Sequence, residues 1–213
     1  MPVIGVTGSF GSGKSVVAGM FIRHGARVFD ADRTVHVLLR GKGPVVKAVG
    51  RVFGAEILNA QGVDRAKLAG LVFDDPVKLK KLMEILHPRV KQEAVKFIAS
   101  NGRSSLVVLD VPLLIESGWV GLVDLVLVVR ARREQQLQRV RQRSGVRRRE
   151  ALDRIRCQMP LREKLQFADR CIDNTGTLAA TEKQVEKFIQ DLKTGMLNKK
   201  KISIKQYPNR REV

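Results

Sequence analysis

The sequence predicts a three-layer α/β fold built on a parallel sheet, and three observations carry that prediction. Short runs rich in apolar and β-branched residues, Pro2 to Thr7, Leu106 to Val111 and Asp124 to Val129, read as strands buried on both faces, as parallel strands under helices are. The stretches between them show helical periodicity, beginning with Val16, Val17, Met20 and Phe21. The first strand passes through a glycine-rich turn directly into the first helix, the opening of a strand, crossover and parallel-strand unit.

That turn carries the first chemistry. Gly8-Ser9-Phe10-Gly11-Ser12-Gly13-Lys14-Ser15 satisfies G-x-x-x-x-G-K-[ST] in the required place, after a strand and before a helix. Glycines let backbone N–H groups converge on phosphate oxygens, and the helix N-terminus adds positive potential. Gly11, Ser12, Gly13, Lys14, Ser15 and Val16 are therefore the expected ATP contacts. Lys14 reaches the β and γ phosphates, and Ser15 supplies a hydroxyl to Mg²⁺. A chance glycine-rich turn would not bring strand, loop and helix in this order. The fold expected is thus the P-loop NTPase three-layer fold.

Arg27-Val28-Phe29 is a second short strand, ending at Asp30-Ala31-Asp32. Alternate residues on an extended chain point to opposite sides, so only one acid need serve a phosphate cleft. Asp32 is the candidate to accept or orient the proton of an attacking hydroxyl. Its competing reading is an N-cap for a helix starting near Arg33. Residues 33–100 are mostly helical, with turn signals at Gly41-Lys42-Gly43-Pro44, Gly54, Asn59-Ala60-Gln61-Gly62 and His87-Pro88, and read as a helical insertion. His87 alone is more simply a packing or capping residue than a ligand contact.

Asp110 ends its apolar strand, where a carboxylate either completes a Mg²⁺ shell or is a buried, paired or capping acid. Glu134 to Gln166 is a long Arg-rich helical region, interrupted around Ser144-Gly145 and Met159-Pro160. Arg139 and Arg143 stand four apart on one face, either a phosphate clamp on a hinged lid or a solvated basic face. Cys171 to Asn174 is a last short strand, and Leu178 to Leu192 a closing amphipathic helix. The expected organisation is a nucleotide-binding core of residues 1–32 and 101–195, the insertion at 33–100, a lid at 131–165 within the core span, and a mobile basic tail at 196–213.

Composition narrows the class. Across 213 residues, 44% are hydrophobic, enough for a folded chain, and 40 Lys and Arg oppose 21 Asp and Glu for a formal charge of +19. Such a field draws phosphorylated ligands and nucleic acid alike. Only 5% of residues are aromatic and no basic-aromatic repeat occurs, so nucleic acid is not the expected partner. The longest apolar run, Leu106 to Ile115, contains Asp110 and falls far short of the roughly 20 residues that span a bilayer. The N-terminus has no basic region before its apolar run, so neither a cleaved leader nor a membrane anchor is expected, and a cytosolic location is. Cys157 and Cys171 lack metal or redox spacing. Trp119 has no assigned role, and oligomeric state is not legible.

Taken in order, further segments resemble the dephospho-CoA kinase family over Ile4 to Leu192. They are Gly5-Val6-Thr7-Gly8 leading into the phosphate loop, Asp30-Ala31-Asp32, Phe53-Gly54 with Asp64-Arg65 and Leu68, then Val72-Phe73 and His87-Pro88. Asp110-Val111-Pro112-Leu113-Leu114-Ile115-Glu116, Gln135 with Arg139, Gln158, and Ala168-Asp169 with Asn174 complete the series. The resemblance implies a P-loop core with a helical CoA-binding insertion and a lid, and ATP-dependent phosphorylation of the ribose 3′-hydroxyl of dephospho-CoA. It implies that Asp32, Lys14 and Arg139 are catalytic and that Asp32, His87 and Pro88 meet the acceptor, reversing the packing reading of His87. By the resemblance Asp110, Pro112, Leu113 and Leu114 would line the cleft, Arg139 would belong to the lid and Asn174 to the adenine end of ATP; the clamp reading adds Arg143 as an ATP contact, and the phosphate loop adds Mg²⁺ as cofactor. The chain departs from the family's Gly-Gly-Ile-Gly at Gly8-Ser9-Phe10-Gly11, positions expected to contribute mainly backbone. Competing classes are a nucleoside monophosphate kinase and a nucleic-acid-binding P-loop NTPase.

Overall fold

The computed structural model describes residues 2–72, 75–101 and 105–197. Its elements run β1 (Val3–Thr7), α1 (Lys14–Arg23), β2 (Arg27–Asp30), α2 (Ala31–Leu38), α3 (Pro44–Phe53), β3 (Leu58–Asn59), β4 (Gly62–Val63), α4 (Arg65–Val72) and α5 (Pro76–Asn101). They continue with β5 (Val107–Asp110), β6 (Leu125–Arg130), α6 (Arg133–Ser144), α7 (Arg148–Arg156), α8 (Leu161–Lys164), β7 (Arg170–Asp173) and α9 (Leu178–Lys193). The chain folds as two units, one of residues 1–29 with 100 onward and one of residues 30–99.

In the first unit the apolar runs form a five-stranded parallel sheet in the order β2-β5-β1-β6-β7. β1 lies between β5 and β6, with Val6 opposite Asp110 on one side and Leu127 on the other. This central place explains why β1 and β5 are buried along their whole length and read as unbroken apolar runs. Ile4, Val6, Val108, Leu127 and Val129 share a core with Val17 and Phe21 of α1 and with Val185 and Phe188 of α9. Phe21 and Phe188 meet edge to face with ring centroids 6.0 Å apart. Chain order reverses across β1, which places the loop after β1 at the kind of switch point where open α/β sheets bind ligands.

The helical interruptions expected in the Arg-rich region have local causes. α6 ends at Gly145 in the left-handed conformation, and Pro160 is the N-cap of α8. α6 and α7 close on a small cluster of Leu137, Val140 and Ala151. Among the described residues, no helix is long and apolar enough to cross a membrane. Cys157 and Cys171 are exposed free thiols. Residues 198–213 of the expected basic tail lie outside the described residues.

The second unit has its own core of Val46, Val49, Phe53, Ile57, Leu68, Leu82 and Leu86. It is mostly helical, as expected, with one short β-hairpin. The Asn59 to Gly62 turn joins β3 and β4 into a small hairpin, pairing Leu58 with Val63. The turn expected at His87-Pro88 is absent, because α5 continues through Pro88. Leu82, Leu86, Val90 and Ala94, at four-residue spacing, give α5 a continuous buried stripe. That packing outweighs the ~3 kcal/mol that an interior proline costs a helix.

Candidate active site

The phosphate loop is held in shape from behind. Gly13 adopts φ 94°, and a Cβ there would run into the Asn174 carboxamide, so only glycine serves. Asn174 Nδ2 donates to Ser12 O at 2.9 Å, and the Thr181 hydroxyl donates to Asn174 Oδ1 at 3.0 Å. Arg139 adds donations to Asn174 O at 2.8 Å and Ser12 O at 3.4 Å. Lys14 is nearly buried, and its Nζ donates to Gly8 O at 3.0 Å and Ser9 O at 3.2 Å. Among the described residues, no side chain caps the N-terminus of α1, where Ser15 and Val16 are exposed. Ser12 Oγ is buried with no hydrogen-bond partner among the described residues.

Phe10 does more than supply backbone, contrary to expectation. Its ring packs on the α6–α7 cluster and lies 5.3 Å beneath the Arg154 guanidinium. Its N–H donates to Gln158 Oε1 at 2.8 Å. The two arginines expected to act from one helix face also part company. Arg139 is half-buried on Asn174, whereas Arg143 is exposed and makes no hydrogen bond or ion pair with the described residues. Asn174 is 2% exposed and its carboxamide is taken up by Ser12 and Thr181, so the structure sets it as a brace of the loop. At 2% exposure the carboxamide offers little surface for the adenine contact expected of it.

Asp110, 5% exposed, ends β5 opposite Val6, two residues before the phosphate loop opens. The turn that follows is fastened at Pro112 O, which accepts the Thr7 hydroxyl at 3.0 Å and Lys164 Nζ at 3.0 Å. Leu114 departs from its expected role as a cleft residue. It is fully buried over Gly5, where an added Cβ would approach Leu114 Cδ2 to 2.5 Å, so Leu114 is core. Pro112 and Leu113 remain partly exposed.

Within the second unit, Asp30 and Asp32 divide their duties. Asp30 caps α2 by accepting the Arg33 N–H at 2.8 Å, and the helix begins at Ala31. The capping alternative for Asp32 therefore falls, because the helix starts two residues earlier than the sequence suggested. Asp32 sits exposed in the first turn of α2. Farther along, Pro88 lines a groove of about 390 Å³ between α3 and α5 with Pro44, Val45, Ile85 and Arg89. His87 does not line it.

His87 is half-buried, and burial pushes its pKa below the usual histidine value. Folding thus favours the neutral ring. Stability from this group is complete above the unfolded value of about 6.5 and is lost as pH falls through the lower folded value. Urea midpoints measured from pH 7 to pH 5 are expected to fall less steeply in His87→Gln than in the parent protein. Parallel slopes would exclude His87 as a source of the acid sensitivity.

A lysine-bearing phosphate loop after the central strand of a parallel sheet, with a carboxylate ending the neighbouring strand, defines a P-loop nucleotide-binding protein. The chain belongs to the dephospho-CoA kinase family, whose family model matches residues 2–180. It is 42% identical over 196 residues to the dephospho-CoA kinase of Carboxydothermus hydrogenoformans, covering 91% of this chain and 95% of that one. The dephospho-CoA kinase from Campylobacter jejuni superposes with TM-score 0.69 at 26% identity, over 91% of this chain and 98% of that one. A Thermus thermophilus crystal structure superposes with TM-score 0.72 at 36% identity, over 90% and 97%.

Sequence reasoning overlooked Lys164, Thr7 and Thr181. Lys164 lies in Leu161-Arg162-Glu163-Lys164, a charge-rich stretch that looks solvated, yet it is fully buried. Thr7 entered only within Gly5-Val6-Thr7-Gly8, with no role of its own, and Thr181 carried no motif.

Proposed function

We propose that the protein transfers the γ-phosphoryl group of ATP to the ribose 3′-hydroxyl of dephospho-CoA, giving coenzyme A and ADP. The observation that carries this reading is a lysine-bearing phosphate loop within a chain 42% identical to a dephospho-CoA kinase over 91% of its length. Gly11 to Val16 bind the triphosphate, and Lys14 leaves the Gly8 and Ser9 carbonyls for phosphate oxygens. Asp32 accepts the 3′-hydroxyl proton as that oxygen bonds to the γ-phosphorus and the bond to ADP breaks. Arg139, already at the loop, offers charge to the transferring group, while Arg143 joins it when the α6–α7 arm closes as a lid. The acceptor takes the His87-Pro88 side of the second unit, with the Pro88 groove and its apolar walls suited to the pantetheine arm. Pro112 and Leu113 border the phosphate loop.

Mg²⁺ binds through hard oxygens, few of them from protein and the rest from phosphates and water. The exposed Ser15 hydroxyl and the Asp110 carboxylate, which ends the strand beside β1, are donors of that kind and fit the ion. When bound, it neutralises charge on the β and γ phosphates. We assign Asn174 to holding Ser12 O in place, with the nucleotide end of the site reached through that brace. Asn174→Ala is expected to lower stability by about 1–3 kcal/mol, the cost of stranding buried partners, and to raise the Kd for ATP. Urea melts and nucleotide titration check the two effects; an unchanged pair removes the brace.

Incubating the protein with Mg-ATP and separate acceptors tests the reading as a whole. Dephospho-CoA is expected to be phosphorylated at its 3′ position. Phosphorylation of nucleoside monophosphates without dephospho-CoA would overturn the assignment.

A further inference from the structure

Lys164 is a charged side chain with no exposed surface, and no step of the proposed transfer uses it. It closes the short helix α8 and reaches two acceptors, Pro112 O at 3.0 Å and Glu116 Oε1 at 2.9 Å. Each acceptor holds a second donor from elsewhere. Pro112 O also takes the Thr7 hydroxyl, and Glu116 Oε1 takes the Met159 N–H at 3.0 Å. Just upstream, Gln158 Oε1 holds the Phe10 N–H. Residues 158–164 therefore grip three places at once: the phosphate loop at Phe10, the end of β1 through Pro112, and the turn after Asp110.

Burial disfavours the ammonium and, although Glu116 works against this, Lys164 is left with a pKa below the usual lysine value. Methionine would fill the same space without that penalty, so packing alone does not require a lysine here. What methionine lacks is the pair of donations. Thr7 directly precedes Gly8 of the loop, and Pro112 follows Asp110 by two residues, so the ammonium ties together two segments whose spacing matters to the chemistry.

We propose that Lys164 is a positioning residue for phosphoryl transfer, setting the phosphate loop against the Asp110 turn through its bonds to Pro112 O and Glu116. The inference rests on the kinase reading above. It predicts a loss confined to the chemical step, since a misplacement of about 1 Å costs up to roughly a hundredfold in rate.

The experiment measures kcat with dephospho-CoA, the Kd for ATP and the thermal midpoint for the parent protein, Lys164→Met, Glu116→Ala and the double variant. Folded Lys164→Met is expected to bind ATP within about threefold of the parent while kcat falls about tenfold or more. Glu116 lies on a side chain 21% exposed, so Glu116→Ala keeps the question answerable if Lys164→Met fails to fold. It is expected to show the same split. The double variant should lose no more than the worse single, because both act through one contact. Unchanged kcat in either folded variant overturns the proposal, as does a loss of ATP affinity equal to the loss of kcat, or additive losses in the double variant. Failure of the parent protein to phosphorylate dephospho-CoA would instead overturn the kinase reading.

Discussion

Asp32→Ala is expected to cut kcat for dephospho-CoA by about 10²–10⁴-fold, the contribution of a positioned general base, while ATP still binds. The two acids at the end of β2 allow a clean contrast. Asp30 caps α2 through the Arg33 N–H, so Asp30→Ala should lower stability by about 0.5–2 kcal/mol and leave kcat within a few-fold of the parent. Asp32 is exposed in the first helical turn, where losing a carboxylate costs at most about 1 kcal/mol of helix-dipole stabilisation. Asp32→Asn keeps the shape and removes the charge, and it should resemble Asp32→Ala in rate. Near-normal turnover by either Asp32 variant would defeat its catalytic role.

Lys14→Ala should damage both binding and chemistry. A hydrogen bond from a charged donor contributes about 1.5–3 kcal/mol, so ATP affinity should fall roughly tenfold to a hundredfold. Loss of a preorganised donor to the transferring group should further reduce kcat by about 10²–10³. Lys14 rests on Gly8 O and Ser9 O, which keeps its nearly buried ammonium paired. Titration with a fluorescent ATP analogue, followed by single-turnover kinetics, separates the two losses. Unaltered affinity would mean that the lysine never meets the phosphates.

The sheet and the phosphate loop were legible because their determinants are local. Glycine spacing, the lysine at the helix start and the runs Leu106 to Val111 and Asp124 to Val129 each dictate conformation over a few residues. Where the sequence misled, a distant partner decides the outcome. Pro88 signals a turn by its own chemistry, but the buried stripe of α5 carries the helix through it. Leu114 sits in a segment read as cleft lining, yet the bare backbone of Gly5 makes room for it in the core. The bracing role of Asn174 and the burial of Lys164 could not be read from the sequence. Their hydrogen bonds run to Ser12 and Pro112, 162 and 52 residues away along the chain, and no pattern of neighbours encodes such a partner.

The grip of Thr181 on Asn174 bears on where this chain tolerates trimming. The family match ends at residue 180, one position before the hydroxyl that holds the Asn174 carboxamide and well before Val185 and Phe188 close over the sheet. A shortened gene product ending at that alignment limit would remove most of α9, whose buried face packs on the sheet, and slacken the strap behind Ser12. Its loss of nucleotide affinity would then come from a cut made far along the chain from the loop itself, so any expression boundary should lie beyond the last turn of α9, past Lys193.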